Sequence, residues 1–409
     1  MAHRHHVDPS ELTALADYRR QILSGLRPLP PVSVKLLDAG GTVLAQDVVA
    51  AGDIPPFANS AMDGFAVKAD DVSEGSTLRV AGEIAAGSPD LPSPGAGQAI
   101  RIMTGAPMPV GATAVVPVEV VTEAEGQVVL HLDPAPGDNV RSAGESVRAG
   151  ETVLQTGRLV GAAEIGMLAA MGVAEVSVHP RIKVATIATG DELVEPGTPL
   201  KPGQIHESNS YGLAAQVSEA GGIAQRQPIA PDDEGALREA FEHALTQADI
   251  LVTSGGVSAG LYDLSKKVLA QMGDVRFCKV GMQPGMPQAF GTIDGTPVFG
   301  LPGNPVSSAV SFEVLVRPAM RVLQGRSDLN RPRVTARLAE DVRSPQHKVS
   351  FLRVTLTQRG REWLASTTGA QGSGILRSMV LADGLAEVPA DRTTLAAGDS
   401  VTVHLLSTP

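Results

Sequence analysis

The chain has 409 residues, 43% of them hydrophobic, with a formal charge of −11 and one cysteine, Cys278. That length predicts two to four domains at ~150 residues each. The acidic balance argues against general nucleic-acid binding, where a basic face dominates affinity. A lone cysteine excludes an intramolecular disulfide and a cysteine-only metal cage. No run of 18 apolar residues and no apolar leader is visible, so the expectation is a cytoplasmic protein with no membrane insertion. Aromatics make up only 3% of the chain, with one Trp363, so the cores must be built from Val, Leu, Ile and Ala.

His3, His5 and His6 read as a frayed terminus rather than a metal site. Asp8-Pro9-Ser10-Glu11 then reads as a capping box opening a helix that runs to about Ser24 and stops at Gly25. From 55 to 144 short β runs (LRVAG, AIRIM, AVVPVEVV, VVLHL) alternate with Gly, Pro and Asp clusters, the pattern of a small all-β module. Its first segment, PPFANSAMDG, is too polar for a strand. There Asn59, Ser60 and Asp63 either close a loop or meet a ligand. Thr104-Gly105-Ala106-Pro107 is a similar turn. Residues 147–178 return to helix and strand, so 1–54 and 145–180 form one domain that the β module interrupts.

An α/β domain follows over 181–327. Three of its apolar β runs end in small or polar residues. Lys183–Ala188 leads into Thr189-Gly190-Asp191-Glu192. Ile250–Val252 leads into Thr253-Ser254-Gly255-Gly256 and then Ser258-Ala259-Gly260, Asp263 and an amphipathic helix. Thr296–Phe299 leads into Gly300-Leu301-Pro302-Gly303-Asn304-Pro305, where Asn304 and Pro305 make a strong helix start. Ligands of open α/β sheets bind beyond the carboxyl ends of strands, and glycines let backbone approach a phosphate. A carboxylate such as Asp263 suits a divalent cation bridging to phosphate, although it equally suits a helix cap. Helices are expected from Asn209 to Gly221 and from Asp232 to Gln247, with Pro318 kinking the helix after Pro305. Residues 328–409 read as a C-terminal β domain, and Cys278 as a small core residue.

Taken together, PPFANSAMDGFAV (55–67), RIMTGAP (101–107), ATGDELVEPG (188–197), TSGGVSAGLYD (253–263) and GLPGNPVSS (300–308) resemble the molybdopterin molybdenumtransferases, including the related domain of gephyrin. The resemblance implies α/β plus β architecture. The expected protomer is elongated and multi-subdomain, with a three-layer α/β domain, a small inserted β module and a C-terminal β-barrel-like domain. It further implies a homodimer whose cleft is shared between protomers. The activity implied is Mg²⁺-dependent insertion of molybdate into adenylylated molybdopterin, releasing AMP and molybdenum cofactor. By motif position, Asp63, Thr104, Glu192, Asp232, Asp263 and Lys279 fall at catalytic positions. Ser254, Gly255, Gly256, Pro302, Gly303, Asn304 and Pro305 fall at positions that bind the nucleotide-pterin, with Glu192 and Asp263 toward the metal. The chain departs from the family where a KPGKP segment is read here as Gln283-Pro284-Gly285-Met286-Pro287, without its two lysines. It departs again at Ser146, where an aspartate is usual. Those losses keep a second reading open, a gephyrin-like scaffold that holds a short partner peptide.

Overall fold

The structure, a computed structural model, describes residues 9–255 and 264–406. His3, His5, His6, Asp8, Gly256, Ser258, Ala259, Gly260 and Asp263, singled out from the sequence, lie outside these residues. The chain divides into two compact units: 33–40 with 46–177, and the remainder.

The larger unit opens with an unexpected strand. Where a continuous helix from Asp8 was predicted, a 3-10 turn (Pro9–Glu11) leads into strand β1 (Leu12–Thr13), and helix α1 covers only Leu15–Ser24. The strand pairs in parallel with Lys279 and Val280, an edge contact that local sequence does not announce.

The α/β elements then follow as β2 (Lys183–Ala188), α2 (Asn209–Glu219), β3 (Ile223–Arg226), α3 (Glu234–Leu245), β4 (Ile250–Ser254), α4 (Leu264–Met272), β5 (Asp274–Val280), β6 (Pro287–Ile293), β7 (Thr296–Leu301), α5 (Pro305–Ser311) and α6 (Arg317–Leu323). They form one sheet in the order β1-β5-β6-β7-β4-β2-β3. Strands β7, β4, β2 and β3 are mutually parallel, so their carboxyl ends share one edge.

Side-chain alternation builds a layer on each face. Val184, Ile250, Val252 and Phe299 pack with Leu213, Val217, Val306 and Met320, while Ala185, Ile187, Leu251 and Val298 pack with Leu237, Phe241, Val268 and Leu269. Three layers result. Pro318 does not produce a simple kink: a π-helical turn, Phe312–Val316, separates α5 from α6. Proline has no N–H to continue the regular ladder, and a π turn absorbs that mismatch.

The C-terminal strands β8 (Arg333–Leu338), β9 (Val349–Arg359), β10 (Glu362–Thr367), β11 (Gly384–Val388) and β12 (Ser400–Leu405) close in the order β9-β10-β8-β12-β11-β9. This is a five-stranded barrel filled by Ala336, Leu352, Val354, Ala365, Val401 and Val403. Met282 and Gln283 add a short parallel strand beside Val349 and Ser350.

The smaller unit contains a six-stranded sheet that includes Gly64–Val67, Thr77–Ile84, Gln98–Ile102 and Ala114–Pro117. The expected AVVPVEVV run is broken there by a 3-10 turn, Val118–Val120. Even the polar segment contributes a two-residue strand, since Asn59 and Ser60 pair with Arg141 and Val140. Among the described residues no helix is long and apolar enough to cross a membrane.

Candidate active site

The ends of β2, β4 and β7 converge through backbone bonds. The Thr189 N–H donates to the Ser254 carbonyl (3.2 Å), and the Gly255 N–H donates to that of Leu301 (3.2 Å). Gly255 has φ +96°, and a Cβ there would lie 2.8 Å from the Thr189 oxygen, so only glycine fits. Gly303 lies against the same turn, where a Cβ on it would make an ordinary contact with the Gly255 Cα at 3.5 Å.

The Ser254 hydroxyl is buried and held within the protein. It accepts from Asn209 Nδ2 at 2.8 Å, with the Pro302 carbonyl and Ser308 hydroxyl each 3.4 Å away. The same Asn209 amide donates to the Gly303 carbonyl at 2.7 Å. Asn304 sits at the N-cap with Pro305 behind it, as its sequence suggests, yet its side chain makes no capping bond. Its amide donates to Ser373 Oγ (3.1 Å), and the Ser373 carbonyl accepts from Val306 N–H, also at 3.1 Å.

An acidic group stands at this edge. The Asp191 carboxylate accepts the Asp232 N–H at 3.0 Å. Glu192 is exposed and folds back over Gly190, where a Cβ would come within 2.5 Å of its Oε2. Burial, followed by the negative charges of Asp191 and Glu192, pushes the Asp232 carboxyl up. The segment carrying Glu192 is anchored behind it: Glu195 accepts from Tyr211 (2.8 Å) and twice from Arg226 (3.1 Å), and Arg226 stacks over the Tyr211 ring.

Lys279 lies on β5, between β1 and β6, with its ammonium paired to Glu11. In the smaller unit, Asp63 Oδ1 accepts both the Thr104 backbone N–H and its hydroxyl, each at 2.7 Å. The backbone bond first, then the hydroxyl, holds the Asp63 carboxyl below the usual range. Asn59 and Ser60 close their own loop, through bonds to the Phe57 and Met62 carbonyls.

Three residues escaped the sequence reading. Asn209 looked like an ordinary helix start. Ser373 lies in a Gly-rich loop with no local pattern. Arg353 sits within the apolar run Phe351–Val354, and an arginine amid such neighbours was the available signal. Its side chain is 1% exposed and lines a cavity of about 250 Å³ that Gln283 and Gln371 also line. Among the described residues its guanidinium donates only to Ser378 Oγ and the carbonyls of Phe351 and Gly372. Burial lowers its pKa to about 10.

Similarity decides the family. The MoeA N-terminal region (domain I and II) matches residues 13–172, a probable molybdopterin binding domain matches 185–322, and the MoeA C-terminal region (domain IV) matches 335–406. A Mycobacterium tuberculosis protein called molybdopterin molybdenumtransferase 2 is 43% identical over 404 residues, covering 96% of this chain and 99% of that protein. The chain belongs to the molybdopterin molybdenumtransferase family. A Haemophilus influenzae molybdopterin molybdenumtransferase is 36% identical over 381 residues, covering 91% of this chain and 94% of its own length. The crystal structure of a molybdopterin biosynthesis protein, MoeA, from Pyrococcus horikosii superposes with a TM-score of 0.83. It is 33% identical, covering 97% of this chain and 100% of that one.

Proposed function

We propose that this transferase inserts molybdate into adenylylated molybdopterin, releasing AMP and molybdenum cofactor. The observation that supports it is the convergence of the 189–192, 254–255 and 301–305 segments, with carboxylates on one side and open glycine backbone on the other. The substrates bring a phosphoanhydride and a dianion, so fixed dipoles and cations must share their charge. Gly255, Gly303, Asn304 and Pro305 offer backbone and helix start to the nucleotide-pterin. Asp63 and Thr104 form a second polar corner on the smaller unit.

Residues of this kind suit Mg²⁺. Asp191, Glu192 and Asp232 bring negative charge together, and burial first, then the charges of Asp191 and Glu192, pushes the Asp232 carboxyl up. No group of three or more His, Cys, Asp or Glu residues among the described ones forms a ready-made cage. Mg²⁺ needs only one or two protein carboxylates, the rest of its shell being water and phosphate. Glu192 would hold it together with Asp263, and when bound it would neutralise phosphate and molybdate oxygens. Asp232 would tune the charge beside it.

Arg353 adds a cation absent from the motif reading. A desolvated guanidinium with no carboxylate hydrogen bond among the described residues, in a residue that lines a cavity together with Arg343, Glu340 and Asp341, suits an anionic ligand. We further propose a cytoplasmic homodimer with divisions at 1–54 with 145–180, 55–144, 181–327 and 328–409. Sedimentation tests the dimer, and a stable folded monomer at micromolar concentration counts against it. The function is tested by asking whether the chain restores molybdoenzyme activity in cells lacking their own transferase. Failure with a folded, expressed protein rejects the reading.

A further inference from the structure

Asn209 is the first residue of α2 and is half-buried at the sheet edge. An asparagine there is ordinarily explained as helix capping, but this helix start is served by another group. The Glu207 carboxylate accepts the Ser210 N–H at 2.8 Å and the Ser210 hydroxyl at 2.6 Å. Asn209 instead spends both N–H donors across the sheet edge, on Ser254 Oγ at the end of β4 and on the Gly303 carbonyl after β7. These strand ends are already joined through backbone bonds from Thr189 and Gly255. The amide therefore adds direction rather than cohesion. A trans peptide is planar, with its C=O and the following N–H pointing opposite ways. Pinning the Gly303 oxygen toward Asn209 thus aims the Asn304 N–H away from it. Accepting the second Asn209 donor likewise leaves the Ser254 proton to its other neighbours, of which the Pro302 carbonyl is one.

We propose that Asn209 is a positioning residue for the transferase site, fixing the Gly303–Asn304 peptide so that it presents its N–H to the adenylylated pterin. This rests on the reading that the strand-end crevice takes that ligand. No other residue type fits as well, since aspartate has no donors, serine has one, and glutamine is longer by a methylene.

The test titrates adenylylated molybdopterin, without molybdate, into wild type, Asn209→Asp and Asn209→Ser, and records each melting temperature. Asn209→Asp should weaken binding about tenfold or more. Asn209→Ser, which keeps one donor, should lose less. Molybdate binding, titrated separately, should change less than about twofold, and melting temperatures should stay within a few degrees of wild type. Unchanged pterin binding in Asn209→Asp overturns the proposal while leaving the function intact. Equal weakening of pterin and molybdate also overturns it, because a general disturbance then suffices. Loss of fold in both variants makes Asn209 a folding residue and rejects the proposal as well. Wild type that binds no adenylylated pterin rejects the functional reading itself.

Discussion

Arg317 and Arg353 are each 1% exposed and lie in the same unit, yet their surroundings differ in kind. Arg317, beside the π turn, donates to Glu313 at 2.8 Å, and Arg331 donates to the same carboxylate at 2.9 and 3.0 Å. Gln216 completes the Glu313 shell. Burial raises the Glu313 pKa, but the Arg331 bonds and the charges of Arg317 and Arg331 outweigh it, and the net direction is down. Among the described residues Arg353 has only neutral acceptors. Burying a cation is costly unless it is paired, so a buried pair reads as architecture and an unpaired cation beside a cavity reads as ligand chemistry.

Breaking the first region should have the largest effect. Glu313→Ala leaves Arg317 desolvated and without its hydrogen-bonded carboxylate, the Glu219 carboxylate lying 3.9 Å away, and loss of one member of a buried pair costs about 3–5 kcal/mol. Chemical denaturation should show that loss in the larger unit. A change below about 1 kcal/mol would mean that water reaches Arg317, and the contrast would fall. Arg353→Met should behave oppositely. It removes a desolvated charge and about three hydrogen bonds, so stability should move little. Binding of anionic substrate should weaken by roughly 1.5–3 kcal/mol, the range for hydrogen bonds to charged groups. Strong destabilisation with unchanged binding would place Arg353 with Arg317 as a structural cation.

The cavity of Arg353 also contains one of the family departures. Gln283 lines it, and Met286 lies on the same loop, which is held where Gln288 donates to the Gly285 carbonyl and to Ser311 Oγ. Gln donates only neutral hydrogen bonds and Met none, whereas Lys is a hydrated point charge. Gln283→Lys with Met286→Lys should tighten molybdate or adenylyl-pterin binding about tenfold, or ~1.4 kcal/mol. The gain should shrink as salt rises, since the pairs formed are partly exposed. Titration at two salt concentrations checks it. No gain at low salt would mean that Arg353 already supplies the positive charge the lysines give elsewhere.

What could be read from sequence follows from how local each signal is. Strand runs such as KVATIA, the described glycines Gly190, Gly255 and Gly303 beyond them and the position of the Asn304-Pro305 helix start are local, and the structure places them as expected, although the Asn304 side chain makes no cap. Helical spacing alone gives a buried face of Leu237, Phe241, Ala244 and Leu245 on α3, of which the first three are buried and Leu245 is half-buried. Contacts between distant residues were not. The β1 edge strand depends on pairing Leu12 with Lys279, and the Glu11 salt bridge that engages the Lys279 ammonium spans the same gap. Asn209 carried a misleading local signal, because an asparagine at a helix start is usually a cap. Arg353 is not legible as a site residue because alternation assigns strand and face but not the partner of a charge.

The smallest predicted effect concerns a charge in water, the far end of the same comparison. Asp63 is exposed, and its carboxyl is held down by the Thr104 N–H first and the Thr104 hydroxyl second. A carboxyl lowered in the folded state adds stability that is fully present above its unfolded pKa, near 3.8, and is lost as pH falls through the lower folded value. Asp63 therefore stays ionised throughout the neutral range, where it serves as an acceptor or charge and never as an acid. Thr104→Val removes the hydroxyl but keeps the backbone donor. The Asp63 pKa should rise part of the way toward 3.8 and stop short of it, as a carboxyl-carbon NMR titration would record. Stability at pH 7 should move only slightly, because a solvent-exposed carboxylate regains water in place of the lost hydroxyl. Full return to the ordinary value would mean that the hydroxyl, not the backbone, governs this corner, and the turn at Gly105 would then matter only for placing Thr104.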